Sequence, residues 1–224
     1  MREAYFRYDG TRVSPEELNS FCGQYFQDLY VNEHFFADYN NGTFIDIGAH
    51  DGISLNNTIY FEKNKRWKGL CIEPNPDVFD VLKKNRDNCL QVALSDKEEV
   101  VEFTKIKGYA QTLSGITSEY HELYPQRINE ELQHFGGEQI KIQLKTRTLN
   151  SIFEEYGYNV IDFMSIDTEG SELKILSGLD FNRFKVRVIA MENNYESEVH
   201  RAFMKERGYI FKDRLKIDDI YYKI

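Results

Sequence analysis

The sequence predicts an α/β fold of the Rossmann-like class: a mostly parallel, seven-stranded sheet with a reversed last strand and helices on its faces. Three observations predict it. Short apolar runs alternate with helical patterns from residue 44 onward, which is how parallel strands joined by right-handed crossovers read. The first run, Phe44-Ile45-Asp46-Ile47, stops at Gly48-Ala49-His50-Asp51-Gly52, and the second, Leu70-Cys71-Ile72, stops at Glu73. A first strand ending in a Gly-rich turn and a second ending in a carboxylate is how a doubly wound sheet holds a nucleoside. The chain closes with extended pieces at 209–212 and 220–224, near enough in sequence to pair antiparallel.

The elements follow in order. Ser14-Pro15-Glu16-Glu17 joins an N-cap serine, a proline at the first helical position and a capping-box acid, so a helix starts there and helices are expected over most of 15–36. Next come a strand at 44–47, a helix at 55–64, a strand at 69–73 and a helix at 76–86 with Val78, Val81 and Leu82 facing inward. Another strand is expected at 90–94, and 99–105 is extended with Val101 and Phe103 on one side. The rhythm breaks at 108–138, a polar, aromatic, largely helical stretch interrupted by Pro125 and closed by Gly136-Gly137. Ile140, Ile142 and Leu144 alternate as an edge or insertion strand. A helix at 148–156, a strand at 160–166, a helix at 172–177, a strand at 186–191 and a helix at 196–207 complete the series. The expected organisation is one domain over 41–224, an N-terminal helical segment over 1–40 covering its site, and 108–138 as a lid and acceptor insertion.

With 224 residues and 41% hydrophobic composition the chain suits one decorated domain. No apolar run approaches the roughly 20 residues of a membrane span, and Met1-Arg2-Glu3-Ala4-Tyr5 lacks the apolar core of a leader peptide. A net charge of −9 argues against a nucleic-acid partner, which needs clustered Lys and Arg. Cys22, Cys71 and Cys89 are scattered and show no C-x-x-C, so they read as reduced, mostly buried thiols in a reducing compartment; a cytoplasmic location is expected.

The first turn reads D-x-G-x-x-x-G rather than G-x-G-x-x-G, and an acid ends its strand. That favours a nucleoside ligand without a pyrophosphate, S-adenosylmethionine first among them. The carboxylate of Glu73 suits two vicinal ribose hydroxyls; its alternative role is capping the helix after Pro74-Asn75-Pro76. Ser95-Asp96 closes the third strand, where a short acid meets an adenine amino group or caps a turn. Ligands of open α/β sheets bind beyond the carboxyl ends of the strands, so Asp46, Glu73, Asp96, Asp167 and Glu192 share one rim. So much acid calls for a cation: a sulfonium, a substrate amine or a metal. Asp167, Glu192 and Asn193 form a hard oxygen set for Mg²⁺ or Ca²⁺. In the alternative readings Asp167 is a general base, or these acids orient helix starts at Ser171 and Glu196. Among the histidines, His50 and His121 lie where a substrate hydroxyl can be met. Tyr109, Tyr120, Tyr124 and Tyr195 either stack on an apolar sugar face or pack the insertion onto the sheet.

Assembled in order, these motifs resemble those of the FkbM-type S-adenosylmethionine-dependent methyltransferases. The similarity runs from about Gly23 to the C-terminus. It comprises Gln24-Tyr25-Phe26-Gln27-Asp28, the turn Asp46–Gly52 with Ser54, Asn57 and Thr58, and Glu73-Pro74-Asn75-Pro76. It continues with Ala93-Leu94-Ser95-Asp96, Leu113-Ser114-Gly115, the block from Ile166 through Asp167, Glu169 and Gly170 to Glu172, and Glu192-Asn193-Asn194. About the first 20 residues have no counterpart in that family.

The resemblance implies a class I methyltransferase fold and O-methylation of a hydroxyl on a sugar, glycan, glycolipid or glycosylated metabolite. A small phenolic or polyketide hydroxyl, and a non-catalytic nucleoside-binding module of a glycan-assembly protein, are the alternatives. Carried over, the cofactor contacts are Gln27, Asp46, Gly48, Gly52, Ser54, Asn57, Thr58, Glu73, Ser95, Asp96 and Asp167. The catalytic set is Asp167, Glu192 and His50; Tyr109, His121, Tyr124, Glu169 and Tyr195 meet the acceptor; Asp167, Glu192 and Asn193 resemble the ligands of metal-dependent small-molecule O-methyltransferases.

Overall fold

The computed structural model describes residue 11 and residues 13–224. The reading of Met1–Tyr5, and most of the opening stretch of the 1–40 segment, lie outside the described residues. From residue 13 the chain runs through helix α1 (Pro15–Leu18), helix α2 (Gln27–Val31) and a wide π-turn, Asn32–Phe36. Helices therefore occupy 15–36 only in pieces. Ser14 caps α1 through the Glu17 amide at 3.2 Å, as its sequence predicts, but the chain then opens into a loop that bridges Gly23 to Leu55.

Strand β1 (Thr43–Ile47), helix α3 (Ile59–Lys65), strand β2 (Lys68–Ile72), helix α4 (Pro76–Asn85) and strand β3 (Cys89–Leu90) begin the parallel sheet. Helix α3 starts four residues later than expected. Asn56 Oδ1 accepts from the amides of Thr58 and Ile59, at 3.0 and 2.9 Å, and holds residues 55–58 in a turn. On α4, Val78 and Leu82 are buried at i, i+4 spacing while Val81 is exposed, against expectation; that face of the helix looks outward.

The expected strand at 90–94 is two strands in two sheets. Leu90 stays beside β2, whereas β4 (Ala93–Leu94) turns away to pair with β7 (Glu138–Arg147). A second, four-stranded sheet results, in the order β4-β7-β5-β6, with β5 (Val100–Lys107) and β6 (Gly115–Ile116). The long antiparallel β5–β7 ladder runs from Val100 opposite Lys145 to Lys107 opposite Glu138. Between β5 and β7, residues 108–138 are largely helical, as expected: two short 3₁₀ turns, Tyr109–Leu113 and Thr117–Glu119, and helix α5 (Tyr124–Phe135), with β6 between the turns. Pro125 does not interrupt α5 but begins it, where its missing N–H leaves no bond unmade.

The chain then returns to the first sheet through helix α6 (Leu149–Tyr156), strand β8 (Val160–Ile166), helix α7 (Glu172–Ser177), strand β9 (Lys185–Glu192), helix α8 (Glu198–Glu206) and strands β10 (Ile210–Leu215) and β11 (Asp218–Tyr222). The order is β10-β11-β9-β8-β1-β2-β3, with β11 antiparallel to both neighbours. This is the mostly parallel sheet with a reversed last strand that the sequence predicts. Both faces are covered, as the near-continuous apolar runs require. Ile45, Leu70, Met164 and Ile189 pack in one cluster; Phe44, Cys71, Phe163 and Val188, each adjacent to one of these on its strand, pack in the other with Phe61 and Trp67. No helix among the described residues is long and apolar enough to cross a membrane.

Candidate active site

The carboxyl ends of β1, β2, β8 and β9 open into one cavity, closed on its far side by Phe103 and Ile116 of the second sheet, by Gln111, Thr112 and Ser114 of the turn between β5 and β6, and by Arg127 of α5. The turn after β1 is built before any ligand enters. Gly48 has φ +79°, and a Cβ there would lie 1.7 Å from the Asp167 carbonyl oxygen. The glycine lets the β1 and β8 ends touch, where the Asp167 amide donates to Ile47 O at 3.0 Å, and its own amide ties the turn to the end of β2 through Ile72 O at 3.0 Å. Gly52 serves packing too, since a Cβ there would meet Leu82 Cδ1 at 2.7 Å and Arg86 Cγ at 2.6 Å.

Asp46 is buried beneath this turn. Its Oδ2 accepts from Thr58 Oγ1 at 2.7 Å and Asn56 Nδ2 at 2.8 Å, and the Arg86 guanidinium lies 3.8 Å away. Burial pushes its carboxyl up, and Arg86 pulls it back. Arg86 has a fully buried side chain that also donates to Gly52 O, Asn56 Oδ1, Thr58 Oγ1 and Glu62 Oε2, between 2.7 and 3.1 Å. Asp46 and Thr58, expected to touch cofactor, thus spend these bonds bracing the 49–58 turn; Asp46 still lines the cavity, while Thr58 lies behind its wall. Glu73 faces inward from the end of β2. Its Oε2 accepts from the His50 amide at 3.1 Å and Oε1 from the Asn75 amide at 2.8 Å. Burial raises it to about 7 against those two bonds.

On the opposite wall Asp167, Glu169 and Glu192 each bring a carboxylate oxygen within 4.8 Å of the others. Asp167 is accessible through the cavity mouth, yet protein surrounds it on its other sides. Burial, then Glu169, Asp218 and Glu172, lift it well above the usual carboxylate range. Glu192 is lifted likewise by burial and then by Asp167. Glu169, at φ +59°, is raised to about 7 by burial against the hydroxyl of Tyr124, which donates to it. Asn194 Nδ2 donates to both Glu192 Oε1, at 2.6 Å, and the Tyr124 hydroxyl, at 3.0 Å. Three side-chain atoms of lining residues, Asn57 Oδ1, Ser171 Oγ and His50 Nε2, are buried without a protein partner. Burial lowers the His50 imidazole, so it is neutral at pH 7.

Of the residues singled out from the sequence, Asp46, Gly48, His50, Ser54, Asn57, Glu73, Asp167, Glu169 and Glu192 line the cavity. Others lie elsewhere. Gln27 accepts from the Tyr25 amide at 2.8 Å and donates to Asp218, tying the N-terminal segment to β11. Ser95 is buried, its amide on Arg147 O at 3.0 Å, and Asp96 is exposed beside Gly178; the turn of β4 toward β7 carries both off the rim. Tyr109 is exposed and packs on Phe135, with ring centroids 4.1 Å apart, and His121 stacks on Tyr195 at 3.7 Å. Tyr124 backs Glu169 from α5.

Asn193 is the clearest correction. Its Oδ1 accepts from the Ser197 amide at 2.8 Å and its Nδ2 donates to Ser197 O and Asp219 Oδ2, so it builds the start of α8 on the far side. Glu169 takes its place in the cluster and Asn194 its place in the cavity. Strand alternation continued past β9 places Glu192 and Asn194 on one side and Asn193 on the other, a signal available in the sequence. Arg86 and Arg127 carried no such signal, because neither lies in a motif.

Residues 46–211 match the family model of the methyltransferase FkbM domain, well over half of the chain. Methyltransferase sdnD of Sordaria araneosa is 23% identical over 237 aligned positions, which cover 90% of each chain. The crystal structure of methyltransferase FkbM from Methylobacillus flagellatus KT superposes with a TM-score of 0.50 at 16% identity, over 93% of this chain and 50% of that one. The chain thus spans about half the length of that solved protein.

Proposed function

The chain belongs to the FkbM methyltransferase family, and from that premise we propose that it transfers the methyl group of S-adenosylmethionine to a hydroxyl oxygen, that of a sugar in a glycan, glycolipid or glycosylated metabolite. The observation that carries this reading is the meeting of Glu73, Asp167 and Glu192, from three strand ends, in one cavity beside the Gly48 turn. Arg127 is the one Lys or Arg among the described lining residues, so the cavity suits a ligand that is itself cationic. The unpartnered Asn57 Oδ1, Ser171 Oγ and His50 Nε2 are polar positions for such a ligand to satisfy.

The cofactor, when bound, supplies a methyl group activated by its sulfonium. The chain's own residues do the rest. Glu73, fixed by two backbone amides, takes the ribose hydroxyls. A hydroxyl is a poor nucleophile at neutral pH and needs a base within hydrogen-bond reach. Asp167 is that base. It and Glu192 crowd each other, so the pair titrates as one unit and gives up its last proton late. Its affinity for a proton then sits nearer the operating pH than an ordinary carboxylate's. Asn194, donating to Glu192, orients the pair, and 108–138 with α5 shields it from water.

Calorimetry with S-adenosylhomocysteine, followed by transfer assays over sugar and phenolic acceptors, tests this. Asp167→Asn is expected to retain binding while lowering transfer by about 10²–10⁴-fold; full turnover in that variant would sink the assignment. A protein that binds and never turns over any acceptor would be a binding module. The 4.8 Å cluster supports a second reading, in which Asp167, Glu169 and Glu192 hold Mg²⁺ or Ca²⁺. General-base catalysis survives a chelator, whereas loss with EDTA and recovery with Mg²⁺ would establish the metal.

A further inference from the structure

Cys71 and Cys89 are 18 positions apart in the chain yet sit directly opposite each other on the adjacent strands β2 and β3. Facing residues of neighbouring strands lie about 4.8 Å apart, inside the span of about 4.4–6.8 Å that a disulfide bridges. Their side chains point the same way. Ile72 and Leu90 pack together in one core cluster, while Cys71 and Cys89 pack together in the other. The neighbouring thiol pushes Cys71 up and pulls Cys89 down. Cys71 therefore keeps its proton, and Cys89 is the better nucleophile. Cys89 is also the reachable one: it is half-buried on a two-residue strand at the sheet edge, while Cys71 is buried.

We propose that Cys71 and Cys89 form a reversible disulfide, made by peroxide and undone by thiols, that weakens cofactor binding. The pair adjoins the brace under the cofactor turn. Cys71 faces Asp46 in the β1–β2 register, and the Cys89 thiol donates to Arg86 O at 3.4 Å. Arg86 in turn holds Asp46, Asn56, Thr58 and Gly52. In the oxidation the Cys89 thiolate attacks one peroxide oxygen, the O–O bond breaks, and hydroxide leaves, giving a sulfenic acid. The Cys71 sulfur then attacks the Cys89 sulfur; the S–O bond breaks and the departing hydroxide takes the Cys71 proton as water. Two thiols and one hydrogen peroxide become one disulfide and two waters. The bond removes the thiol hydrogen that Arg86 O accepted and draws the β3 edge toward β2, so the Arg86 brace loosens.

The test uses the folded, reduced protein. After hydrogen peroxide and alkylation, peptide mapping should find Cys71 joined to Cys89, and dithiothreitol should separate them. Calorimetry should give S-adenosylhomocysteine an affinity about tenfold weaker in the oxidised protein, regained on reduction. Cys71→Ser should stop at a Cys89 sulfenic acid that dimedone traps, and Cys89→Ser should leave the affinity indifferent to peroxide. Recovery of both cysteines as separately alkylated or over-oxidised peptides would overturn the disulfide. Equal affinities before and after a mapped disulfide would overturn its coupling to the cofactor. The coupling rests on the nucleoside reading above: failure of the reduced protein to bind S-adenosylhomocysteine would count against that reading, while peptide mapping still judges the disulfide.

Discussion

Two backbone amides fix the Glu73 carboxylate while burial raises it to about 7. Its grip on a diol should therefore change with pH. Glu73→Gln keeps the shape but removes the charged acceptor, and hydrogen bonds to charged groups are worth about 1.5–3 kcal/mol. Calorimetry is expected to show S-adenosylhomocysteine bound about tenfold more weakly, with the pH dependence between 6 and 8 flattened; unchanged affinity would remove Glu73 from the site. At this scale the sequence was legible where a residue ends a strand, as with Glu73, Asp167 and Glu192, because strand ends of a parallel sheet share a rim. It was illegible where the chain leaves that rim. Asp96 looks equivalent to Glu73 on spacing, but β4 departs for another sheet one residue before Ser95.

The segment from Gly48 to Thr58 is a preformed element, held by Asp46 and Arg86 from below and by Asp167 from the side. Gly48→Ala would drive a methyl group into a backbone carbonyl 1.7 Å away, with no side chain free to yield. A loss of about 3 kcal/mol is expected in urea unfolding. Gly157→Ala is the control. Gly157 also has positive φ, +74°, but nothing lies within 4 Å of a Cβ there, so about 1 kcal/mol suffices. Similar losses in both would mean that the β1–β8 contact adds nothing. Elements of the parallel sheet were readable because each is a buried apolar run with a single place to go. The second sheet was not: the exposed, alternating residues of β7 suit an edge strand, and its partner β5 precedes it by some thirty residues, so no local pattern reveals the pairing.

At the scale of the molecule, buried acid dominates. Glu73 and Glu169 rise from 4.5 to about 7, and Asp28 and Asp218 from 3.8 to about 6. Across that interval the folded chain holds protons that the unfolded chain has released. Stability must then fall as pH rises from about 4 to 7. Tm without cofactor should be higher at pH 5.5 than at pH 8 by scanning fluorimetry. S-adenosylmethionine, a cation, should raise Tm more at pH 8 than at pH 6, and the neutral product should show less of this difference. A Tm that climbs toward pH 8 would contradict the burial of these acids. The class of fold was legible at this scale and the count of sheets was not.

One cavity is walled by both sheets: Gly48 and Glu73 on one side, Phe103 and Ile116 on the other. Acceptor choice and donor grip therefore cannot be inherited separately. A chimera that grafts 108–138 from a relative, intending to change only what is methylated, would carry part of the donor's housing with it. Each new acceptor would arrive with a retuned appetite for cofactor.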